Sequence, residues 1–361
     1  MASITEQSVL DALRAVQDPD LRRDIVSLNF VKDLKIDEGN VAFTIELTTP
    51  ACPVKDQMRE QARAAVGRVP GVTDVQVTMT ASVRTARPGD ARAPIPGVKN
   101  IIAVGAGKGG VGKTTVAVNV AIALAQSGGR VGMIDGDVYG PNVPIMLGVG
   151  KAHLMADEQQ KIIPPERYGI QVVSMGFLAD DDSAIIWRGP MLHGVIRQFF
   201  QEVRWGQLDY LVIDMPPGTG DVALSLSQTV PVAGAIVVTT PQQVSLADSR
   251  RAVRMYEKLN IPVLGIIENM SYFICPNCRH ESDIFGRGGA EETAADMQVP
   301  FLGRIPIYQP IRVGSDTGRP IVIAEPESPA AQAFVHVAEQ TAAQVSIASY
   351  QPAAIPLTPV K

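Results

Sequence analysis

Three groups of residues in this chain could do chemistry: a glycine-rich loop with two lysines, aspartates at the ends of apolar runs, and a close pair of cysteines. The loop reads Gly107-Lys108-Gly109-Gly110-Val111-Gly112-Lys113-Thr114-Thr115. It follows the apolar run 101–104 and opens a helical pattern over 116–126, so strand, loop and helix come in the order a phosphate-binding loop requires. Glycines let backbone N–H groups converge on phosphate oxygens, and a helix N-terminus adds positive partial charge. Lys113 can reach the β- and γ-phosphates of a nucleotide, and the Thr114 hydroxyl can ligate Mg²⁺. One lysine suffices for that work. Lys108 is therefore either a solvated side chain at the loop rim or a cation that reaches phosphate across a subunit boundary, as an arginine finger does.

Residues 131–137 end a strand-like run on Asp135 and Asp137, and residues 208–221 end another on Asp214, with Gly218 and Gly220 just beyond. In α/β sheets ligands bind at the carboxyl ends of strands. A carboxylate there can hold Mg²⁺ or orient the attacking water. Alone, an acid at a strand end is more often a helix cap or a turn residue, but two of them downstream of a phosphate loop reverse that balance. Gly218 and Gly220 would leave the second loop free to sense a γ-phosphate.

Cys275-Pro276-Asn277-Cys278 can ligate one metal or one cluster, yet supplies only half of a four-thiolate site. A two-fold dimer would bring two such pairs together and complete it. The competing readings are a structural zinc closed within one chain by His280 and Asp283, a thioredoxin-type redox pair, and unmetallated thiols. Spacing alone favours zinc over an iron–sulfur cluster. Cys52 lies between a strand-like run and a helical pattern. It reads either as a thiol activated by a helix N-terminus or as a small buried hydrophobe.

These groups need elements to position them. In residues 1–83, Ser3 with Glu6 reads as a capping box before a helical pattern through Val9, Leu10, Leu13 and Val16. Alternating runs at 30–36 and 41–47 flank Asp37-Glu38-Gly39-Asn40, a hairpin signal. A helix near 54–66 and a strand near 72–79 complete a small α+β domain. Residues 84–97 read as a linker. From 98 to 346, apolar runs alternate with helical patterns, the signature of a mostly parallel sheet flanked by helices. Residues 347–361 read as a flexible tail, because Pro352, Pro356 and Pro359 oppose helix.

The 361 residues are ample for two domains, and 46% hydrophobic with 19% charged residues describes an ordinary globular chain. Residues 1–97 carry 12 Lys and Arg against 13 Asp and Glu, and the remainder 20 against 24, so neither part offers a basic face to nucleic acid. No apolar run approaches a membrane span, and residues 1–6 lack the features of a signal peptide. Three cysteines without such a signal suggest a reducing, cytoplasmic setting.

The loop resembles the deviant Walker A group of the ParA/MinD/nitrogenase iron-protein class, in which the early lysine contacts nucleotide in the partner subunit. That resemblance implies an ATPase with Lys108 acting in trans, Asp137 as the switch I aspartate, Asp214 as the Walker B aspartate and Gly218 as the switch II glycine. It also implies that Asn269, in Ile266-Ile267-Glu268-Asn269-Met270-Ser271, reads adenine, with Arg304 a further candidate near the base. Residues 98–345 resemble the Mrp/ApbC iron–sulfur cluster carrier ATPases. Trp187-Arg188-Gly189-Pro190-Met191, Asp214-Met215-Pro216-Pro217-Gly218-Thr219-Gly220-Asp221 and Asp283-Ile284-Phe285-Gly286 occur in that family's order. Cys275 and Cys278 would then hold a 4Fe–4S cluster between protomers and pass it to apo-proteins, with no ligand role for His280. Residues 1–83, with Asp18-Pro19-Asp20 and Thr48-Thr49-Pro50-Ala51-Cys52-Pro53, resemble the MIP18-like domain of iron–sulfur assembly factors, which implies a handling or docking role for Cys52. The expected protein is a cytoplasmic, homodimeric, Mg²⁺-dependent ATPase that carries a 4Fe–4S cluster to apo iron–sulfur proteins, with cluster scaffolds as further partners. The alternatives are a MinD/ParA-type positioning ATPase, whose membrane helix the proline-bearing tail cannot form, and a zinc-stabilised regulatory NTPase.

Overall fold

The structure of the protein, a computed structural model, describes residues 4–87, 90, 92–137, 140–150, 154–177, 189–216 and 220–350. It divides into two compact units, Met1–Arg84 and Thr85–Lys361.

Helix α1 (Glu6–Leu13) opens the first unit, and its cap differs from the expected one. Ser3 lies outside the described residues. The cap is Thr5, whose extended backbone lets Oγ1 accept the Ser8 N–H at 3.2 Å while Ser8 Oγ accepts the Thr5 N–H at 3.1 Å. Strands β1 (Val31–Asp37) and β2 (Asn40–Leu47) form an antiparallel hairpin. Its turn residues Glu38 and Gly39 have φ of 41° and 99°, the left-handed pair that a two-residue hairpin needs. β2 points Val41, Phe43, Ile45 and Leu47 into the core. The chain then crosses through helix α2 (Lys55–Val66) and returns as β3 (Asp74–Ala81), parallel to β2.

The second unit is the expected α/β layer structure. Its parallel strands are β4 (Val98–Ala106), β5 (Val131–Asp135), β6 (Ile170–Ser174), β7 (Leu208–Asp214), β8 (Val232–Thr239), β9 (Val263–Glu268) and β10 (Phe301–Arg304). Their spatial order is β6-β5-β7-β4-β8-β9-β10, with the short strand Glu166–Arg167 antiparallel on the β6 edge. Every residue of β7 and β8 is buried, as a sheet covered on both faces requires. The helices are α3 (Lys113–Gln126), α4 (Val143–Leu147), α5 (Gly189–Gln201), α6 (Gly220–Thr229), α7 (Gln243–Lys258), α8 (Gly289–Met297), α9 (Gln309–Asp316), α10 (Ile321–Ala324) and α11 (Pro329–Tyr350). α3 packs against both the sheet and α11, so it is apolar around most of its circumference rather than striped. α11 continues to Tyr350, four residues into the segment read as tail. The tail prolines lie outside the described residues.

The segment read as a linker is laid against the second unit. The Ala86 N–H donates to Asn100 Oδ1 at 2.8 Å, Arg87 Nη2 to the Asn260 carbonyl at 2.9 Å, and Arg92 Nη1 to the Ser227 carbonyl at 2.7 Å. Ile95 joins the hydrophobic core. Asn100 is a buried polar side chain on a central strand, and such a group demands partners. No helix among the described residues is long and apolar enough to cross a membrane.

Candidate nucleotide site and cysteine hairpin

The carboxyl ends of the central strands align the acids beside the phosphate loop. In register, Asp214 on β7 lies beside Asp135 on β5 and Val104 on β4, while Ser174 on β6 lies beside Asp135. Between β4 and α3 the loop turns through Gly110 and Gly112, both at φ 79°. A Cβ at Gly107 would overlap the Asp248 backbone, and one at Gly112 would overlap the Asn269 amide, so both positions demand glycine. A Cβ at Gly109 or Gly110 would meet nothing within 4 Å, which leaves their backbone open to a ligand at the α3 N-terminus. Lys108, Val111 and Thr115 complete the loop. Val111 is buried, while Lys108 and Thr115 are half-buried.

Lys113 is buried and its Nζ bonds Asp214 Oδ1. Thr114 Oγ1 donates to Asp214 Oδ2 at 2.7 Å. Lys113, Thr114 and Asp214 therefore converge, with the strand-end acid facing the loop that carries the lysine. Burial pushes the Asp214 carboxyl up, against the pull of Lys113. Thr114 and Asp214 present two oxygens that fit a hard cation. Asp137 sits just beyond β5, where its Oδ1 accepts the Gly140 N–H at 3.2 Å. Gly218 lies outside the described residues, as do Trp187 and Arg188. Lys108 has no ion-pair partner among the described residues.

Asp135 plays a larger part than sequence reasoning assigned it. It is fully buried and accepts the Ser174 hydroxyl at 2.9 Å and the Val143 and Asp137 N–H groups at 3.2 Å each. Burial, reinforced by the Asp214 charge, pushes its carboxyl up to about 7. The signal available was its place in the motif Asp135-Gly136-Asp137. It is the last residue of the strand, hence inside the layer, whereas Asp137 has already left it.

Asn269 follows β9. Its Nδ2 donates to the Val111 carbonyl at 2.8 Å, and its N–H donates to the Thr239 carbonyl at 2.8 Å. The residue assigned to the base thus touches the phosphate loop. Arg304 pairs with Glu291, approaches Glu268 to 3.9 Å and lies over the Phe301 ring.

Cys275 and Cys278 occupy the tip of a hairpin whose strands are Phe273–Ile274 and Glu281–Ser282. The Cys275 N–H donates to the His280 carbonyl at 3.0 Å, and the Arg279 N–H to the Cys275 carbonyl at 2.9 Å. The backbone N–H groups of Cys278 and Asn277 hold the Cys275 thiol below its ordinary pKa, which suits a thiolate ligand. Cys278 is exposed and Cys275 half-buried. Among the described residues no three His, Cys, Asp or Glu side chains gather as a metal site. Cys52, half-buried, stands two residues before the α2 cap position, and its carbonyl accepts the Lys55 N–H at 3.3 Å.

Residues 97–342 match the family described as NUBPL iron-transfer P-loop NTPase, and residues 6–79 match a family described as iron-sulfur cluster assembly protein. The chain is 50% identical over 350 residues to the iron-sulfur cluster carrier protein of Synechocystis sp., covering 96% of this chain and 99% of the relative. Among solved structures it resembles the nucleotide-binding protein in complex with ADP from Archaeoglobus fulgidus, with a TM-score of 0.57 and 39% identity over 65% of this chain and 91% of that one. It also resembles the septum site-determining protein MinD complexed with Mg-ADP from Pyrococcus horikoshii, with a TM-score of 0.52 and 30% identity over 66% of this chain and 94% of that one.

Proposed function

The chain belongs to the NUBPL iron-transfer P-loop NTPase family, and from that premise we propose that it is an ATP-hydrolysing carrier that holds a 4Fe–4S cluster between two copies of itself and delivers it to apo iron–sulfur proteins. Cluster scaffolds would be upstream partners. Three cysteines outside any disulfide suit work in the cytoplasm, where thiols stay reduced.

The reading rests above all on the cysteine hairpin. Each chain offers two thiols at an exposed tip and no third ligand among the described residues. A cubane cluster needs four thiolates, and two copies related by a two-fold axis supply them. The cluster is cargo in this scheme, and the exposed tip lets an acceptor's thiols reach it.

At the other site, the loop amides from Gly107 to Thr115 cradle the phosphates while Lys113 neutralises the β/γ charge. Lys108 reaches the nucleotide of the partner, and Asn269 reads adenine. Asp137 orients the attacking water, and Gly218 follows the γ-phosphate. Thr114 and Asp214 would hold Mg²⁺, which would neutralise charge on the phosphate oxygens.

The test is anaerobic reconstitution of the full chain. It should take up about four iron and four sulfide per dimer, by the thiolate count. Cys275→Ala or Cys278→Ala should abolish this uptake and spare ATP binding, and Cys52→Ser should leave the bridging cluster in place. Stoichiometric zinc that resists exchange, or a cluster retained by the Cys275/Cys278 double variant, would overturn the reading.

A further inference from the structure

Glu268 is the last residue of β9 and is fully buried. Its Oε1 accepts the Ser271 hydroxyl at 2.6 Å and the Gly288 N–H at 2.9 Å, and its Oε2 accepts the Ala290 N–H at 2.7 Å. Gly288 and Ala290 lie at the start of α8, so the ordinary role of this carboxylate is a helix cap. Its position in the chain gives it a second one. The next residue is Asn269, whose side chain is bonded to Val111 of the phosphate loop. Successive side chains at a strand end point to opposite sides. One peptide unit thus bears the contact to the nucleotide loop and the clamp on the segment returning from the cysteine hairpin.

The path from clamp to thiols is short. Arg287, next to Gly288, donates from Nη1 to Glu281 Oε2 at 3.0 Å and stacks over the Tyr272 ring. Glu281 is the strand partner of Ile274, which precedes Cys275. Gly286 and Gly288 have φ of 86° and 89°, so the segment between hairpin and clamp is jointed at residues that tolerate that backbone. The carboxylate also has a donor in reserve. Arg304 Nε is buried with no hydrogen-bond partner, 3.9 Å from Glu268 Oε1. If Gly288 lets go, Arg304 can take its place, which supplies the second of the two arrangements that a coupling element needs.

We propose that Glu268 is a positioning residue that links nucleotide occupancy to the geometry of the Cys275/Cys278 hairpin, an inference that rests on the carrier reading above. An adenine that draws the Asn269 amide from the Val111 carbonyl turns the shared peptide. The Glu268 carboxylate then exchanges its hold on Gly288 for Arg304, and the hairpin shifts through Arg287 and Glu281. Neither Glu268 nor Arg304 touches nucleotide or cluster in this scheme.

The experiment uses the cluster-free full chain with a non-hydrolysable ATP analogue and Mg²⁺, and reads alkylation of Cys275 and Cys278 peptide by peptide. In the wild type the analogue should change their alkylation rate about fivefold or more, the lower end of ordinary coupling between sites. Glu268→Gln, which keeps one carbonyl acceptor, should bind the analogue within about twofold of wild type yet lose that response. A plain helix cap would leave the response intact in the variant, and that result overturns the proposal. Hydrogen exchange on the wild type guards against a variant that fails to fold: the Gly288 amide, bonded to the carboxylate oxygen that faces Arg304, should change protection when the analogue binds, and unchanged protection there overturns the proposal as well. Iron and sulfide content of the reconstituted wild type is read separately. A cluster without nucleotide response removes only the coupling, whereas absence of any cluster removes the carrier reading beneath it.

Discussion

Lys113 and Asp214 are bonded to each other at the carboxyl end of the sheet, and Thr114 holds the second oxygen of the same carboxylate at 2.7 Å. The lysine proposed to meet phosphate and the acid proposed to serve the metal thus neutralise one another. On the proposed reading, nucleotide binding would exchange this pair for phosphate and cation contacts.

That pairing makes Lys113→Ala a stability mutation as well as a functional one. It leaves a fully buried carboxylate without its counter-ion, at a cost of about 3–5 kcal/mol near neutral pH. Adding Asp214→Asn should recover most of that stability and none of the ATP hydrolysis. Urea melts and phosphate release read the two effects separately, and equal stability of single and double variants would contradict the pairing.

Lys108 is half-buried beside open loop backbone and has no ion-pair partner among the described residues. Lys108→Ala should retain ATP binding and lose most turnover. Mixed with Lys113→Ala protein, it should regain partial activity, because one composite site then holds both lysines. Mixed dimers no more active than either parent would show that Lys108 does not act in trans.

Asp135 predicts a pH-dependent stability. Its folded carboxyl titrates at about 7 against an ordinary 3.8, so between those values the folded chain keeps a proton that the unfolded chain releases. The stabilising contribution is complete below the ordinary value, falls as pH rises toward 7, and is gone above it. The slope is at most about 1.4 kcal/mol per pH unit. Urea melts from acid to mildly alkaline pH should show this decline, and Asp135→Asn should flatten it.

Truncation separates the two units only if the cut respects residues 85–97. A chain starting near Arg84 should bind ATP with wild-type stability. One starting at Pro94 loses the bonds to Asn100, Asn260 and Ser227, and its buried Asn100 side chain loses a partner. By ordinary hydrogen-bond values it should be about 2–4 kcal/mol less stable. Equal melting of the two truncated chains would mean that these bonds contribute nothing.

By itself the sequence determined the parts list: the phosphate loop with Lys113 and Thr114, the strand-end acids, the cysteine pair, and the alternation that makes a parallel layered sheet. Those features are local, because loop chemistry follows from glycine spacing and layer order from apolar periodicity. Asp135 and Asp137 look alike in one dimension, and a single step past the strand end puts one inside the layer and the other at its rim. The same limit hid the Lys113–Asp214 bond, across 101 positions of chain. It also hid the docking of residues 85–97 and the Glu268 clamp. Each depends on which polar groups burial deprives of water and which neighbours arrive to replace it, and only the folded chain decides that.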